Sequence, residues 1–198
     1  MFAAARLRIG PLPRTWLLAL RLGGLGLACS PSACTHPAPQ QMQVIQNFDA
    51  ARYAGSWYVL ARIDHPAELG LIQTGVHYRR NGDGSLSMVQ RGLDPANKQW
   101  SKHESLARPA GSPSQGALKM SPLGPFASAY NVVALDADYR WSLVLGANAD
   151  RAWVLSRTAS LPAQARASVL QQAHSAGVNV EQLLWVPQER LPSALPAL

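Results

Sequence analysis

The chain predicts an all-β fold built on a mostly antiparallel sheet. Three observations carry that expectation. Short runs of alternating or β-branched residues recur from Trp57 to Arg157, with turn residues between them. The connections between these runs hold no helical pattern, whereas parallel strands need crossovers of a dozen residues or more. Of the 198 residues, 47% are hydrophobic, which is enough to fill one core and too many for a disordered chain.

The N-terminal part reads as export and tether. Met1 to Thr15 carries arginines and no acid, Trp16 to Ala28 is chiefly Leu, Gly and Ala, and small residues precede Cys29 and Cys34. That apolar run is too short for a stable membrane-spanning helix, so residues 1–28 are expected to be a signal peptide. Both cysteines of the protein lie here, which leaves the domain without a disulfide or a nucleophilic thiol. From Ser30 to Gln46 the composition shifts to Ser, Pro, Ala, Thr and Gln, and residues 29–46 are expected to be a linker. Its twelve residues from Thr35 to Gln46, as a flexible coil, would hold the domain on the order of 20 Å from an anchor.

The net charge of +7 invites a nucleic-acid reading. However, Arg6, Arg8, Arg14 and Arg21 precede the domain, and from Asn47 to Arg190 fourteen basic residues face eleven acidic ones without a basic run. The phosphate-binding footprint is missing, and no nucleic-acid partner is expected.

The domain, expected over residues 47–188, opens on Asn47 to Arg62. Asp49 to Arg52 can make one helical turn, Gly55 removes a Cβ where the backbone passes close to something, and Trp57 begins a strand of Tyr58, Val59 and Leu60. Val76 to Arg80 alternates into Asn81-Gly82-Asp83-Gly84 and returns with Leu86, Met88 and Gln90 on one face and Ser87, Val89 and Arg91 on the other, which predicts a hairpin. Trp100 to Ala107 follows the turn at Asp94-Pro95-Ala96-Asn97, and Pro109 to Gly116 is a loop before a short strand at Ala117 to Ser121. Tyr130 to Leu135 turns at Asp136-Ala137-Asp138 into Tyr139 to Leu145, and Gly146-Ala147-Asn148 leads into Ala152 to Arg157. These are eight strands. Eight meandering strands can remove their open edges by closing into a barrel, and spacing alone leaves a sandwich open. A helix is expected next, with Ser160 as N-cap, Pro162 in the first turn, Ala165, Val169 and Ala173 at spacing four, and Gly177 at its end. Leu183 to Val186 reads as a ninth, edge-type strand, and residues 189–198 as a loose tail.

No Gly-x-Ser-x-Gly, His-Glu-x-x-His or phosphate-cradling glycine motif stands in the domain, and His65, His77, His103 and His174 lack metal-ligand spacing. Asp136 and Asp138 could pass for paired catalytic carboxylates, but they sit in a turn, where aspartate is common for backbone reasons. Neither catalysis, a cofactor nor a metal is expected.

Three separated motifs make the chain resemble the lipocalins, and among them the bacterial lipocalins and their relative apolipoprotein D. They are Gly55-Ser56-Trp57-Tyr58, Asn131-Val132-Val133-Ala134-Leu135-Asp136-Ala137-Asp138-Tyr139, and Leu155-Ser156-Arg157-Thr158. The segment Pro66-Ala67-Glu68-Leu69-Gly70-Leu71 departs from the family by lacking its arginine. The likeness runs from about Phe48 to Gln188. It implies an eight-stranded antiparallel up-and-down β-barrel of the calycin type, with a C-terminal α-helix and a short ninth strand, closed at one end and open at the other. It also implies that Trp57 plugs the closed end with Arg157 packed across it near Gly55, a cation over an indole being worth roughly 0.5 to 2 kcal/mol.

With Arg157 marking the closed end, strand alternation puts Leu155 and Trp153 on the same face, Trp153 about 13 Å up the wall. Tyr130, Val132 and Ala134 share a face, Tyr130 nearer the opening, and Met88 offers a flexible apolar contact. Tyr130, Trp153, Met88, Val132 and Leu155 are the expected ligand-binding wall. An eight-stranded barrel is wide enough for one small ligand. The function expected is storage or transport of a fatty acid or lysophospholipid at the bacterial cell envelope, driven by about 0.8 kcal/mol per buried CH₂. A structural or stress-related envelope lipoprotein, or a lipocalin-type enzyme, is the alternative.

Gly26-Leu27-Ala28-Cys29 resembles a lipoprotein lipobox and makes Cys29 the expected lipidation site, Pro31-Ser32-Ala33-Cys34 making Cys34 the alternative. Ser30 or Thr35 stands after the cysteine instead of the aspartate that commonly retains such proteins at the inner membrane. The resemblance thus implies a lipid-anchored protein of the outer membrane, facing the periplasm. Self-pairing into a homodimer is left open.

Overall fold

The computed structural model describes residues 42–66, 68–122 and 127–188. The expected signal peptide, Cys29, Cys34, most of the expected linker and the tail at 189–198 lie outside the described residues.

Eight strands follow in order: β1 (Gly55–Arg62), β2 (Ile72–Arg80), β3 (Leu86–Asp94), β4 (Gln99–Pro109), β5 (Ala117–Pro122), β6 (Ser128–Leu135), β7 (Trp141–Leu145) and β8 (Ala152–Ser156). Each pairs antiparallel with the next, and β1 pairs with β2 on one side and β8 on the other. The sheet therefore closes on itself, which resolves the choice between barrel and sandwich and leaves no long edge exposed. A single helical turn, α1 (Ala50–Tyr53), precedes the barrel, and α2 (Ala163–Ser175) and the two-residue strand β9 (Leu184–Trp185) follow it. Strand β9 pairs with Ala61 and Arg62 at the far end of β1.

Two apolar clusters result. The inner one fills the barrel around Trp57, Val59, Tyr78, Leu86 and Tyr130. The outer one lies between the wall and α2, where Leu143, Leu145 and Val154 meet Val169 and Ala173. Strand β7 is covered on both faces, which is why all five of its residues are buried. Arg166 of α2 stacks over Trp185 at 3.8 Å and joins helix to ninth strand.

Local structure departs from the expected pattern at five places. Bulges fall between Val59 and Ala61 in β1 and between Val132 and Ala134 in β6. An extra residue reverses the side chains beyond it, so Ala134 leaves the face of Tyr130 and Val132 for the outer cluster, and Leu135 packs on the inner one. Tyr139 is not a strand residue. It adopts a left-handed conformation, φ 59°, and its N–H closes the β6–β7 turn onto the Asp136 carbonyl at 2.8 Å. Ser160 does not cap α2, because its carbonyl accepts a bond from the Thr158 hydroxyl in a preceding turn; Pro162 occupies the capping position without a side-chain bond. Residues 42–46, assigned by composition to the linker, lie along the barrel. The Ile45 N–H donates to Val132 O at 3.0 Å and its carbonyl accepts from Gly116 N at 2.8 Å. A Cβ on Gly116 would stand 2.6 Å from Val132 O, so this approach requires glycine.

Candidate ligand-binding cavity

At the end of the barrel where the chain arrives, Asp49 caps α1 by accepting from Ala51 N at 2.8 Å, and the turn delivers Tyr53 and then Trp57 into the interior. Trp57 is 1% exposed, and its indole N–H donates to the Tyr53 carbonyl at 2.9 Å, so the polar edge of the ring is satisfied inside the fold. The Arg157 guanidinium stacks on this ring at 3.8 Å. Its N–H groups donate to the carbonyls of Ser56 at 2.9 Å, Arg52 at 2.8 Å, Ala54 at 2.9 Å and Tyr53 at 3.2 Å. Partial burial lowers its pKa from the usual arginine value. Gly55, at φ +99°, carries the backbone past this guanidinium, where a Cβ would stand 3.1 Å from Arg157 Nη1.

Above Trp57 the interior turns polar for one layer. The Tyr130 hydroxyl lies 2.8 Å from that of Tyr53 and 2.6 Å from that of Tyr78, and Tyr53 reaches Ser142 Oγ at 3.4 Å. Burial holds all three phenols neutral: it pushes Tyr53 up to about 12 and raises Tyr78 and Tyr130 well above the ordinary tyrosine value.

Over this layer stands a cavity of about 440 Å³. Val59, Val76, Met88, Met120, Trp153 and Leu155 supply most of its apolar wall. Polar groups gather toward the end formed by the β7–β8 loop, where Asn148, Arg151 and Gln90 line it. The β1–β2 loop folds beside this mouth. Arg62, 3% exposed, holds it by donating to Asp64 Oδ1 at 2.9 Å and to the carbonyls of Glu68 at 2.6 Å and Leu71 at 3.0 Å. Glu68, 6% exposed, accepts from the Gln90 amide and, at 3.0 Å, from the Trp153 indole N–H, so one carboxylate joins β3 to β8.

Of the five wall residues expected from sequence, Tyr130, Trp153, Met88 and Leu155 line this cavity. Val132 does not: it is fully buried in the inner cluster, tied to Gly116 and Ile45. Tyr130 does not point toward the opening either, since its hydroxyl joins the buried cluster at the floor. Gly55, Trp57 and Arg157 come together as one contact. Sequence reasoning missed Tyr78 and Val76, although their alternation within the β2–β3 hairpin was a usable signal, and it grouped Gln90 with Met88 without drawing the consequence. Nothing in the sequence signalled Glu68. Asp136 is committed to structure: its carboxylate accepts from Arg140 Nε at 2.8 Å and Nη2 at 2.9 Å, which lowers its pKa. Among the described residues no three His, Cys, Asp or Glu side chains gather as a metal site, and no helix is long and apolar enough to cross a membrane.

Comparison with known proteins agrees with this architecture. The model of a lipocalin-like domain matches residues 48–188. The chain is 41% identical over 157 residues to the outer membrane lipoprotein Blc of Citrobacter freundii, covering 79% of this chain and 89% of that protein. The protein of the same name from Escherichia coli K12 is 40% identical with the same coverage. Among solved structures, insecticyanin from the tobacco hornworm Manduca sexta superposes with a TM-score of 0.65 at 15% identity, over 76% of this chain and 86% of that one, a likeness of fold alone. The closed barrel, its C-terminal helix and these matches make the chain a member of the lipocalin family, on its bacterial branch.

Proposed function

We propose that this protein binds the acyl chain of a fatty acid or lysophospholipid for storage or transport at the bacterial outer membrane, held there by a lipid on Cys29 and facing the periplasm. The observation that carries this reading is the 440 Å³ cavity, whose wall of Val59, Val76, Met88, Met120, Trp153 and Leu155 offers an acyl chain burial at about 0.8 kcal/mol per CH₂. The polar mouth at Gln90, Asn148 and Arg151 suits a hydrated head group that stays near solvent. Outer-membrane placement rests on the names of the Blc relatives and on the sequence around Cys29.

Mass spectrometry of organic extracts from natively purified protein tests the ligand. Co-purifying fatty acid or lysophospholipid in stoichiometric amount is expected; a lipid-free protein that also takes up none on incubation would overturn the reading. Metabolic labelling with palmitate tests the anchor. Label should be lost in Cys29→Ala, and its survival in the Cys29→Ala, Cys34→Ala double variant would refute lipidation at this segment.

A further inference from the structure

The cavity floor is not apolar. The hydroxyls of Tyr53, Tyr78, Tyr130 and Ser142 make three contacts at hydrogen-bond distance, one of them long at 3.4 Å. Each hydroxyl carries one hydrogen, so four donors share three contacts. Tyr53 and Tyr78 also interact, but outside hydrogen-bond geometry, so at least one donor in this buried layer lacks a well-formed acceptor among the described residues. Two of the members, Tyr78 and Tyr130, line the cavity, while Tyr53 and Ser142 lie behind them, fully buried. An unspent donor in such a place is costly unless something accepts from it.

Resting on the acyl-binding reading above, we propose that Tyr78 and Tyr130 form a subsite for a neutral oxygen, a hydroxyl or carbonyl, at the end of the acyl chain that enters first. The neutral state of the oxygen follows from the charges nearby. Arg157 is not among the lining residues and its N–H groups engage backbone carbonyls. The one cationic side chain that lines the cavity is Arg151, and it lies at the mouth among the described residues. A carboxylate at the floor would stand without a counter-ion in a low-dielectric site. The phenols, kept protonated by burial, remain donors across the working pH range.

The test compares heptadecanoic acid with 16-hydroxyhexadecanoic acid, which match in length and head group and differ at the inner end. Each displaces a fluorescent acyl probe from the delipidated full chain. A purely apolar floor would leave the terminal hydroxyl unpaired and weaken binding by roughly 5- to 150-fold. The hydroxyl subsite instead predicts that the wild-type protein binds the hydroxy acid at least as tightly as the alkyl acid. In the Tyr78→Phe, Tyr130→Phe double variant the ratio should move at least about fivefold against the hydroxy acid. Rejection of the hydroxy acid by more than about tenfold in the wild type, or a ratio unmoved in the variant, overturns the subsite while leaving acyl binding intact. The wild-type ratio decides the matter even where the double variant does not fold. If neither acid displaces the probe, acyl binding and the subsite fall together.

Discussion

Arg157 makes contacts that no other side chain could reproduce. It lays a flat cation on Trp57 and sends its fork of N–H groups to the carbonyls of Arg52, Tyr53, Ala54 and Ser56 around Gly55, while Nε reaches toward the Tyr139 carbonyl at 3.4 Å. A lysine keeps the charge but not the planar fork. Arg157→Lys should therefore lower stability by roughly 1.5 to 3 kcal/mol, read from urea unfolding, because several charge-assisted bonds go unmade. Trp57→Ala should cost roughly 3 to 5 kcal/mol through the cavity left in the floor, with loss of ligand binding secondary to it. Binding abolished at an unchanged melting temperature would show that Trp57 belongs to the pocket itself. The grouping of Gly55, Trp57 and Arg157 came from the resemblance to the lipocalins; spacing alone left Trp57 an ordinary core residue. Glu68 was not readable, since a glutamate in a loop reads as solvated unless the loop's path is known. Here Arg62 sets that path by bonding two of the loop's carbonyls.

At the scale of elements, the hydroxyl cluster ties α1, β2, β6 and β7 together at one level of the barrel. Its pH dependence has a definite sign. Burial raises the folded-state pKa of Tyr53, Tyr78 and Tyr130 above the unfolded value near 10, Tyr53 to about 12, so the folded protein keeps protons that the unfolded chain releases. The contribution is present in full below pH 10 and is lost as pH rises toward 12, with each phenol adding about 1.4 kcal/mol per pH unit to the slope. Tyr53→Phe should make that alkaline slope shallower by one phenol's share in urea titrations at successive pH values; an identical slope would mean that Tyr53 ionises freely in the folded state. Such a cluster was illegible in the sequence because it needs the registers of three strands at once. The bulges had the same effect on a smaller scale. Simple alternation placed Ala134 inside, and the extra residue after Val132 put it in the outer cluster. By contrast, the turn of the β2–β3 hairpin and the strands beside it were legible, since Asn81 to Gly84 supplies the turn chemistry and Asp83 Oδ1 fixes it by accepting from Ser85 N at 3.0 Å, whereas the start of β2 at Ile72 and the register shift between Ile72 and Gly75 were not.

For the whole molecule, closure of the sheet between β1 and β2 explains both why the chain folds as one barrel and why a cavity survives inside it. Side chains from Trp57 to the tyrosine layer fill the floor, and smaller or flexible residues above them, such as Val59, Val76 and Met88, leave about 440 Å³ free. The barrel itself followed from short antiparallel runs plus three motifs. The depth of the floor did not, because Val132 and Tyr130 extend it further up the wall than strand alternation indicates. The most direct test of the account titrates lysophospholipid into the delipidated full chain while following tryptophan fluorescence. Trp153 is the one tryptophan among the lining residues. Saturable change at micromolar ligand, largely lost from the signal in Trp153→Phe, is the result expected. The absence of any saturable change, or a change that Trp153→Phe leaves untouched, would contradict a ligand seated in this cavity.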